Sequence, residues 1–298
     1  MPIDRFLSYM INERNFSPLT VKSYGSDLRQ WQEYASHFSG SPIDFAKITT
    51  GDIRSWLLAR ATAGDGPRTL RRKAQALRAF FRFLMKQGDV ADNPTTMLKL
   101  AKVPKRLPQY VRQANLNSLL DAEVDENDFD AVRNRLIIMM LYETGIRRAE
   151  LIGLRDINVD TERGEIKVRG KRDKDRIVPI GDELVRNICS YRNLRNSQVG
   201  STPHFFARTN GGPLYPSLVY HIVHDSLAAV GGSDKKSPHV LRHSFASAML
   251  NDGATLNSVK ELLGHESLAA TQIYTHITFE ELKQSYNHAH PRALKKGG

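Results

Sequence analysis

The sequence predicts a mainly helical protein with one small antiparallel β-sheet, divided into two domains. Three observations lead to this fold class. Apolar residues recur at helical spacing over most of the 298 residues, strand-like alternation is confined to about residues 157–180, and a segment rich in proline and lysine interrupts the helical pattern near residue 105. A chain of this length is expected to form two domains of ordinary size.

The composition is that of a globular protein with a strongly basic balance. Lysine and arginine number 43 against 32 acidic residues, a net charge of +11. This excess favours a polyanionic partner, nucleic acid before an anionic membrane surface. The sequence lacks an apolar run of membrane-spanning length and a signal-peptide core, so a cytoplasmic protein without membrane insertion is expected. The single cysteine, Cys189, excludes an internal disulfide and a cysteine-based zinc site.

The excess charge is concentrated at the start of the chain. Residues 1–107 hold 18 basic and 9 acidic residues, and the remainder holds 25 and 23. We therefore expect a basic helical domain over residues 1–101, a basic linker over 102–108 and a mixed domain over 109–298. The linker residues Lys105 and Arg106 are candidate DNA contacts, although a merely solvated connector fits them equally well.

The first domain has clear helix starts at Ser17-Pro18, at Thr50 and at about Pro67. The third of these helices combines an apolar stripe with basic residues and no acidic residue. Because charge pairing within the helix cannot balance them, they indicate a DNA-facing surface more than a solvated one. The candidate DNA contacts on this helix are Arg68, Arg71, Arg72, Lys73, Arg78 and Arg82.

The second domain mixes helices with a short meander. Helical patterning covers about residues 113–121 and 130–144, and alternation at 157–159, 165–168 and 176–180 predicts two or three strands. A turn at about 172–175 joins the last two of them. Helices return from Asp182 onward.

The chemistry-bearing residues are cations, histidines and a tyrosine. His239, Arg242 and His243 follow a proline at a helix start, where the spacing predicts a shared face. A metalloprotease motif would need a glutamate directly after the first histidine, and position 240 is valine, so no metal is expected. Side-chain cations in place of Mg²⁺ suit phosphoryl transfer. No Walker A pattern is present, and no cofactor is expected.

An ordered set of six residues resembles the signature of the tyrosine recombinase, or phage integrase, family: Arg147, Lys171, His239, Arg242, His265 and Tyr274. The segments TGIRRAEL, GKRDKDRIVPI, SPHVLRHSFA and LLGHESLAATQIYTH are similar in particular to the Xer site-specific recombinases. SPLTVKSYGSDLRQW is similar to the family's helical core-binding domain, and the tail YNHAHPRA is more like the C-type than the D-type member of Xer pairs. Arg148-Ala149 departs from the family pattern, where many relatives have an aliphatic or small residue followed by serine.

The chemistry of phosphodiester attack fits these residue types. Arginine forks bind the non-bridging oxygens bidentately, and His265 would add a hydrogen bond. Tyr274 is the candidate nucleophile, His239 the base or orienting residue, and Lys171 the acid that protonates the leaving 5′ oxygen. Glu150 would position its neighbours. The resemblance implies a 3′-phosphotyrosyl intermediate that needs neither metal nor ATP.

The resemblance also implies a biological setting. A core-binding domain and a catalytic domain would form a C-shaped clamp on double-stranded DNA, and recombination would pass through a Holliday junction. The expected partners are a second Xer recombinase in a cyclic tetramer, to which residues 287–298 would be donated, and a DNA translocase that activates resolution of chromosome dimers at cell division. The alternatives are a mobile-element integrase or invertase with the same chemistry, a DNA-binding protein with a vestigial site, a relaxing topoisomerase and a metal nuclease.

Overall fold

The computed structural model describes residues 2–39, 43–100, 110–170, 175–231, 236–264 and 279–293. The chain divides into an N-terminal unit, Met1–Arg106, and a C-terminal unit, Leu107–Gly298. Helices dominate both, and the described strands form one antiparallel sheet in the C-terminal unit. The predicted fold class is confirmed. None of the helices in the described ranges is long and apolar enough to cross a membrane.

The N-terminal unit is a bundle of helices whose ends follow local sequence signals. The side chain of Thr49 accepts the amide N–H of Asp52, and Asp52 accepts that of Thr49, so the two cap the third helix reciprocally. Pro67 opens the fourth helix, and Gly88 ends it with a φ of 80°. The elements are α1 (Pro2–Asn12), α2 (Pro18–Ser39), the 3₁₀ turn Phe45–Lys47, α3 (Thr50–Thr62) and α4 (Pro67–Gln87).

Aromatic side chains fill the core of this unit. Trp31 of α2 lies edge-on to Phe81 of α4, and Phe80 lies edge-on to Phe6 of α1. The predicted apolar stripe of α4 is buried, apart from Leu70 at its start, which is half-buried. Helix α1 was not predicted from the sequence, yet its Ile3, Phe6 and Met10 join this core.

The cations of α4 are divided between two environments, which corrects part of the DNA-binding prediction. Lys73 is 3% exposed, and its ammonium lies 3.2 Å from Asp27 Oδ1 and 2.5 Å from Gln30 Oε1, both on α2. Arg72 also pairs with Asp27. The prediction for Lys73 was wrong, because its counter-charge comes from another helix rather than from its own. Arg68, Arg71 and Arg82 are exposed, and Arg78 is half-buried.

The C-terminal unit surrounds a nearly fully buried helix. From Leu136 to Tyr142 every residue of this helix is buried. The helices are α5 (Gln113–Leu120), α6 (Phe129–Thr144), α7 (Arg148–Ile152), α8 (Asp182–Gln198), α9 (Pro216–Val230), α10 (Pro238–Asn251), α11 (Leu256–Leu263) and α12 (Phe279–Ala289), with a 3₁₀ turn at Asp156–Asn158. The buried helix is α6.

The meander forms at the predicted place. Strands β1 (Val159–Asp160), β2 (Glu165–Arg169) and β3 (Asp175–Pro179) pair antiparallel in chain order. Ile166 of β2 faces Val178 of β3, and both are buried against the core, whereas Val168 faces Arg176. The register therefore places Arg176 next to the apolar layer, where its guanidinium requires partners inside the protein.

The end of the described chain lies against its own unit. Tyr286 and His290 are buried, and Arg292, which is 2% exposed, lies 3.0 Å from Asp121 and 3.3 Å from Glu143 and also pairs with Glu183. The sequence analysis expected residues 287–298 to be donated to a neighbouring subunit. The structure differs for residues 287–293, which pack within their own chain, because three carboxylates there pair with Arg292. Residues 294–298 lie outside the described residues.

The buried Lys73–Asp27 pair makes a prediction about stability. Asp27→Ala should lower the free energy of unfolding of the N-terminal unit by about 3–5 kcal/mol, because it leaves the ammonium of Lys73 buried without its nearest carboxylate. Both tryptophans, Trp31 and Trp56, lie in this unit, so urea unfolding followed by tryptophan fluorescence measures its stability. Arg29→Ala, which breaks the exposed contact with Asp4, should cost less than about 1 kcal/mol. Equal losses in the two variants would contradict the prediction.

Candidate functional site

The turn between α6 and α7 places the first candidate arginine. Gly145 ends α6 in the left-handed region, with a φ of 61°, and Arg147 is the N-cap residue of α7. Glu150 Oε2 accepts the backbone N–H of Arg147 at 2.7 Å, while Oε1 accepts Nη1 of the same residue at 2.8 Å. One carboxylate therefore fixes both the backbone and the side chain of Arg147, whose side chain remains 34% exposed.

The second candidate arginine is held inside the protein. Arg242 lies on α10 and is 8% exposed. Its Nη1 donates to the carbonyl oxygen of Gly145 and its Nη2 to that of Leu263, both at 2.6 Å. Burial and the nearby charge of Arg147 lower the pKa of Arg242 to about 10, while Glu150 acts in the opposite direction. The guanidinium therefore stays cationic at neutral pH.

The two arginines meet at the end of α11. Nη2 of Arg147 donates to the carbonyl oxygen of Gly264 at 3.2 Å, next to the carbonyl of Leu263 that Arg242 binds. The final carbonyls of a helix have no partner inside the helix and attract cations. The fold thus brings Arg147 and Arg242 to the same helix end, although 95 residues separate them in the chain.

The structure adds a third arginine that the sequence reasoning missed. Arg176 of β3 binds both oxygens of Glu150, through Nη1 at 2.8 Å and Nη2 at 2.9 Å, and donates from Nε to the carbonyl oxygen of Leu262 at 2.9 Å. Within the sequence this residue is one of several cations around a turn. The signal that could have revealed it is its place directly before the apolar run Ile177 to Ile180.

The charges within the site shift its carboxylate. Burial alone would raise the pKa of Glu150, but hydrogen bonds and charge from Arg176, together with hydrogen bonds from Arg147, lower it below its ordinary value. Glu150 therefore remains ionised under mildly acidic conditions and balances part of the positive charge that three guanidinium groups bring together.

The residues of the predicted face on α10 differ in exposure. His239 and His243 are exposed, whereas Arg242 between them points into the protein to reach the carbonyls of Gly145 and Leu263. Partial burial, and then the positive charges of Arg148, His243, Arg242 and Arg147, lower the pKa of His239. At neutral pH this histidine is therefore mainly neutral and able to accept a proton.

Three of the predicted site residues, Lys171, His265 and Tyr274, lie outside the described residues. The same holds for Lys105 and Arg106 of the expected linker. The residue before each of two of them is described: Gly170 follows β2 directly before Lys171, and Gly264 is the C-cap of α11 directly before His265. Among the described residues, no group of three metal-ligating side chains lies close enough to hold a metal ion.

Two models of one protein family match the chain. The model of the phage integrase family matches residues 109–281, and the model of the phage integrase N-terminal SAM-like domain matches residues 3–88. The first match alone covers more than half of the chain. The chain therefore belongs to the phage integrase family, and the resemblance found in its motifs is confirmed.

Curated relatives narrow the class. The tyrosine recombinase XerC of Mycobacterium sp. (strain KMS) is 37% identical, over 98% of this chain and 99% of its own length. The tyrosine recombinase XerC of Chlorobaculum parvum (strain DSM 263 / NCIMB 8327) is 34% identical, over 98% and 94%. A solved structure of XerH site-specific recombinase bound to difH substrate shares the fold, with 24% identity, a TM-score of 0.69 and coverage of 95% of this chain and 83% of that one. The enzyme class is that of a site-specific tyrosine recombinase.

Gly145 provides a test of how the site is built. A Cβ atom there would lie 2.5 Å from Phe245 Cδ1 and 2.8 Å from Leu263 Cδ2. Gly145→Ala should therefore destabilise the C-terminal unit by about 1–3 kcal/mol more than backbone strain alone. Gly200→Ala is the matched control, because Gly200 also has a positive φ, of 82°, but has open space around it. Urea unfolding followed by circular dichroism compares the free energies of unfolding of the two variants. Equal decreases would show that the close contacts around Gly145 add nothing to the backbone strain.

Proposed function

We propose that this recombinase cuts and rejoins double-stranded DNA at a specific site through a 3′-phosphotyrosyl intermediate and a Holliday junction, and thereby resolves chromosome dimers at cell division. The observation that carries the proposal is the pair of guanidinium groups, Arg147 and Arg242, fixed at the end of α11. The XerC names of full-length relatives support the biological role. We place this activity in the cytoplasm.

The two arginines suit the transition state of phosphodiester attack. Negative charge grows on the non-bridging oxygens as the nucleophile approaches, and a guanidinium binds two such oxygens in parallel. Both groups are positioned before any DNA binds, since carbonyl oxygens and Glu150 hold them in place. Positioning in advance removes the reorganisation cost that flexible cations would add.

The remaining roles are assigned by chemistry. The phenol of a tyrosine has an ordinary pKa near 10, so forming the phenolate of Tyr274 costs about 4 kcal/mol at pH 7 without assistance. The positive field of the arginines lowers that cost, and neutral His239 serves as the base or orients one. His265 would bind a non-bridging oxygen, Lys171 would protonate the leaving 5′ oxygen, and Glu150 supports Arg147. ATP takes no part, because the phosphotyrosyl bond conserves the energy needed for rejoining, and the guanidinium groups stabilise the developing charge in place of a metal ion.

The proposed partners follow from the recombination reaction. Exchange of both strands of two duplexes requires four subunits, and we propose a cyclic tetramer that includes a second, related recombinase. The solved XerH complex with its difH substrate supports DNA as the partner of this fold. The resemblance to Xer recombinases extends the proposal to a DNA translocase that activates the reaction.

Tyr274→Phe tests the nucleophile. Wild type, Tyr274→Phe and the control Tyr215→Phe, which removes a hydroxyl from an exposed tyrosine, are incubated in EDTA with nicked, labelled duplexes. One duplex carries a candidate chromosomal dimer-resolution site and others carry mobile-element ends. We expect a covalent protein–DNA band on a denaturing gel from wild type and Tyr215→Phe, and none from Tyr274→Phe, because no phosphotyrosyl bond can form.

Each departure from this pattern has a meaning. A band that survives in Tyr274→Phe would refute the assignment of the nucleophile. Dependence of the band on Mg²⁺ would refute cation-only catalysis. Cleavage confined to the mobile-element ends would favour the alternative, an integrase or invertase with the same chemistry.

The exposed arginines of α4 predict a change in the salt dependence of DNA binding. Replacing Arg68, Arg71 and Arg82 together by alanine should weaken binding and lower the slope of log K against log salt by about 2 to 3, since each phosphate contact contributes about 0.9. The control replaces Lys22, Arg29 and Lys47, which are exposed elsewhere in the same unit and carry the same charge. Gel-shift titrations at several salt concentrations measure the slopes. Equal effects of the two triple variants would mean that net charge, not this surface, is responsible.

A further inference from the structure

Three guanidinium groups hold three consecutive carbonyl oxygens at the end of α11. Arg176 of β3 binds that of Leu262 at 2.9 Å, Arg242 of α10 binds that of Leu263 at 2.6 Å, and Arg147 at the start of α7 binds that of Gly264 at 3.2 Å. Three elements distant in sequence thus converge on one helix end. The next residue in the chain is His265.

Arg176 has a second contact that the other two arginines do not share in this form. Its two Nη atoms bind the two oxygens of Glu150 as a parallel fork, at 2.8 and 2.9 Å. Glu150 in turn holds the backbone and the side chain of Arg147. A single side chain of β3 therefore connects the carboxylate that orients Arg147 with the helix end that precedes His265.

The fit around Arg176 is tight. Its side chain is 14% exposed, and a Cβ atom at Gly264 would lie 3.2 Å from its Cδ and 3.3 Å from its Nη1. Gly264 also has a φ of 62°, so this position favours glycine for its backbone as well as for the space that Arg176 occupies. Movement of the guanidinium would be transmitted directly to the residue before His265.

We propose that Arg176 is a positioning residue for recombination, which acts by fixing Glu150, and through it Arg147, against the end of α11. The proposal rests on the function proposed above and extends it to a residue outside the six-residue signature. Arg176 also belongs to β3, which pairs with β2, so it connects this part of the sheet to the arginine pair.

The geometry requires arginine rather than any cation. Three donors in one plane reach two carboxylate oxygens and one carbonyl oxygen. Lysine offers a single nitrogen on a flexible stem and cannot make all three contacts with the same directions. Arg176→Lys therefore keeps the positive charge beside Glu150 but loses the two parallel hydrogen bonds. This variant separates the contribution of the charge from that of the hydrogen-bond geometry.

The positive charge of Arg176 helps to keep the pKa of Glu150 low. The charged groups that act on Glu150 are Arg147, Arg176 and, through the field at α10, Arg242. Arg176→Met would remove the largest influences that lower the pKa of Glu150, while burial, which raises it, would persist. Because a carboxylate with a depressed pKa keeps its contacts until the pH falls through that pKa, the variant should lose them at a higher pH than wild type.

The experiment compares wild type, Arg176→Lys, Arg176→Met and the control Arg163→Met, whose side chain is exposed at the β1–β2 turn. The probe is a nicked, labelled duplex carrying the sequence that wild type selects by binding from a random-sequence library. Gel shifts measure binding, and denaturing gels measure the single-turnover rate of covalent complex formation from about pH 4 to 8. Thermal unfolding by circular dichroism confirms that each variant is folded.

We expect both Arg176 variants to bind the probe as wild type does and to form the covalent complex about 10- to 100-fold more slowly, the loss expected for a displacement of about 1 Å in the site. The decline in rate on acidification should move to higher pH in Arg176→Met and stay at the wild-type position in Arg176→Lys. In a Glu150→Gln background, the pH difference between Arg and Met at position 176 should disappear.

Two results would overturn the proposal: a wild-type rate for Arg176→Lys, or an unchanged pH profile for a folded Arg176→Met. If Arg176→Met does not fold, the rate of Arg176→Lys alone decides. Absence of covalent complex from wild type on its selected sequence would instead refute the proposed function. The two failures are therefore distinguishable.

Discussion

The end of α11 is the constraint on which the arrangement of the site depends. Three successive carbonyl oxygens, those of Leu262, Leu263 and Gly264, emerge there without partners inside the helix. Guanidinium groups from α7, α10 and β3 satisfy them. Each arginine loses side-chain conformational entropy, which its hydrogen bonds to these carbonyl oxygens offset. Displacing α10 or β3 would therefore leave a carbonyl oxygen away from solvent without a donor, at a cost of about 1–3 kcal/mol.

Charge balance is the second requirement of the site. Three arginines in one place repel each other, and the lowered pKa of Arg242 records that repulsion together with burial. Glu150 offsets part of it with an ionised carboxylate. Positive charge therefore remains in excess at the site. This excess suits a site that receives a phosphodiester, because the negative charge of the phosphate balances it. Partial burial, and then the positive charge of Arg148, His243, Arg242 and Arg147, lowers the pKa of His239.

The helical spacing of apolar residues and the signals at helix ends could be predicted from the sequence, because both depend on residues close together in the chain. Pro18, Thr49 with Asp52, Pro67 and Gly145 mark helix ends by caps and backbone preferences that act over a few residues. Ion pairs between residues on different helices could not be predicted. Lys73 finds Asp27, 46 residues away, and no pattern along α4 distinguishes it from the exposed Arg71. Helix α1 was missed although its buried face, Ile3, Phe6 and Met10, follows helical spacing.

The sequence by itself determined the family and the two-part organisation and predicted the arginine pair, because the type and order of motif residues are properties of the sequence alone. Only the tertiary structure decided which cations face solvent, that Arg176 joins Glu150 to α11, and that Arg292 packs among carboxylates of its own chain. The physical reason is distance along the chain: a buried cation is defined by acceptors that folding brings to it, and those acceptors lie 26 to 171 residues away for Arg176 and Arg292.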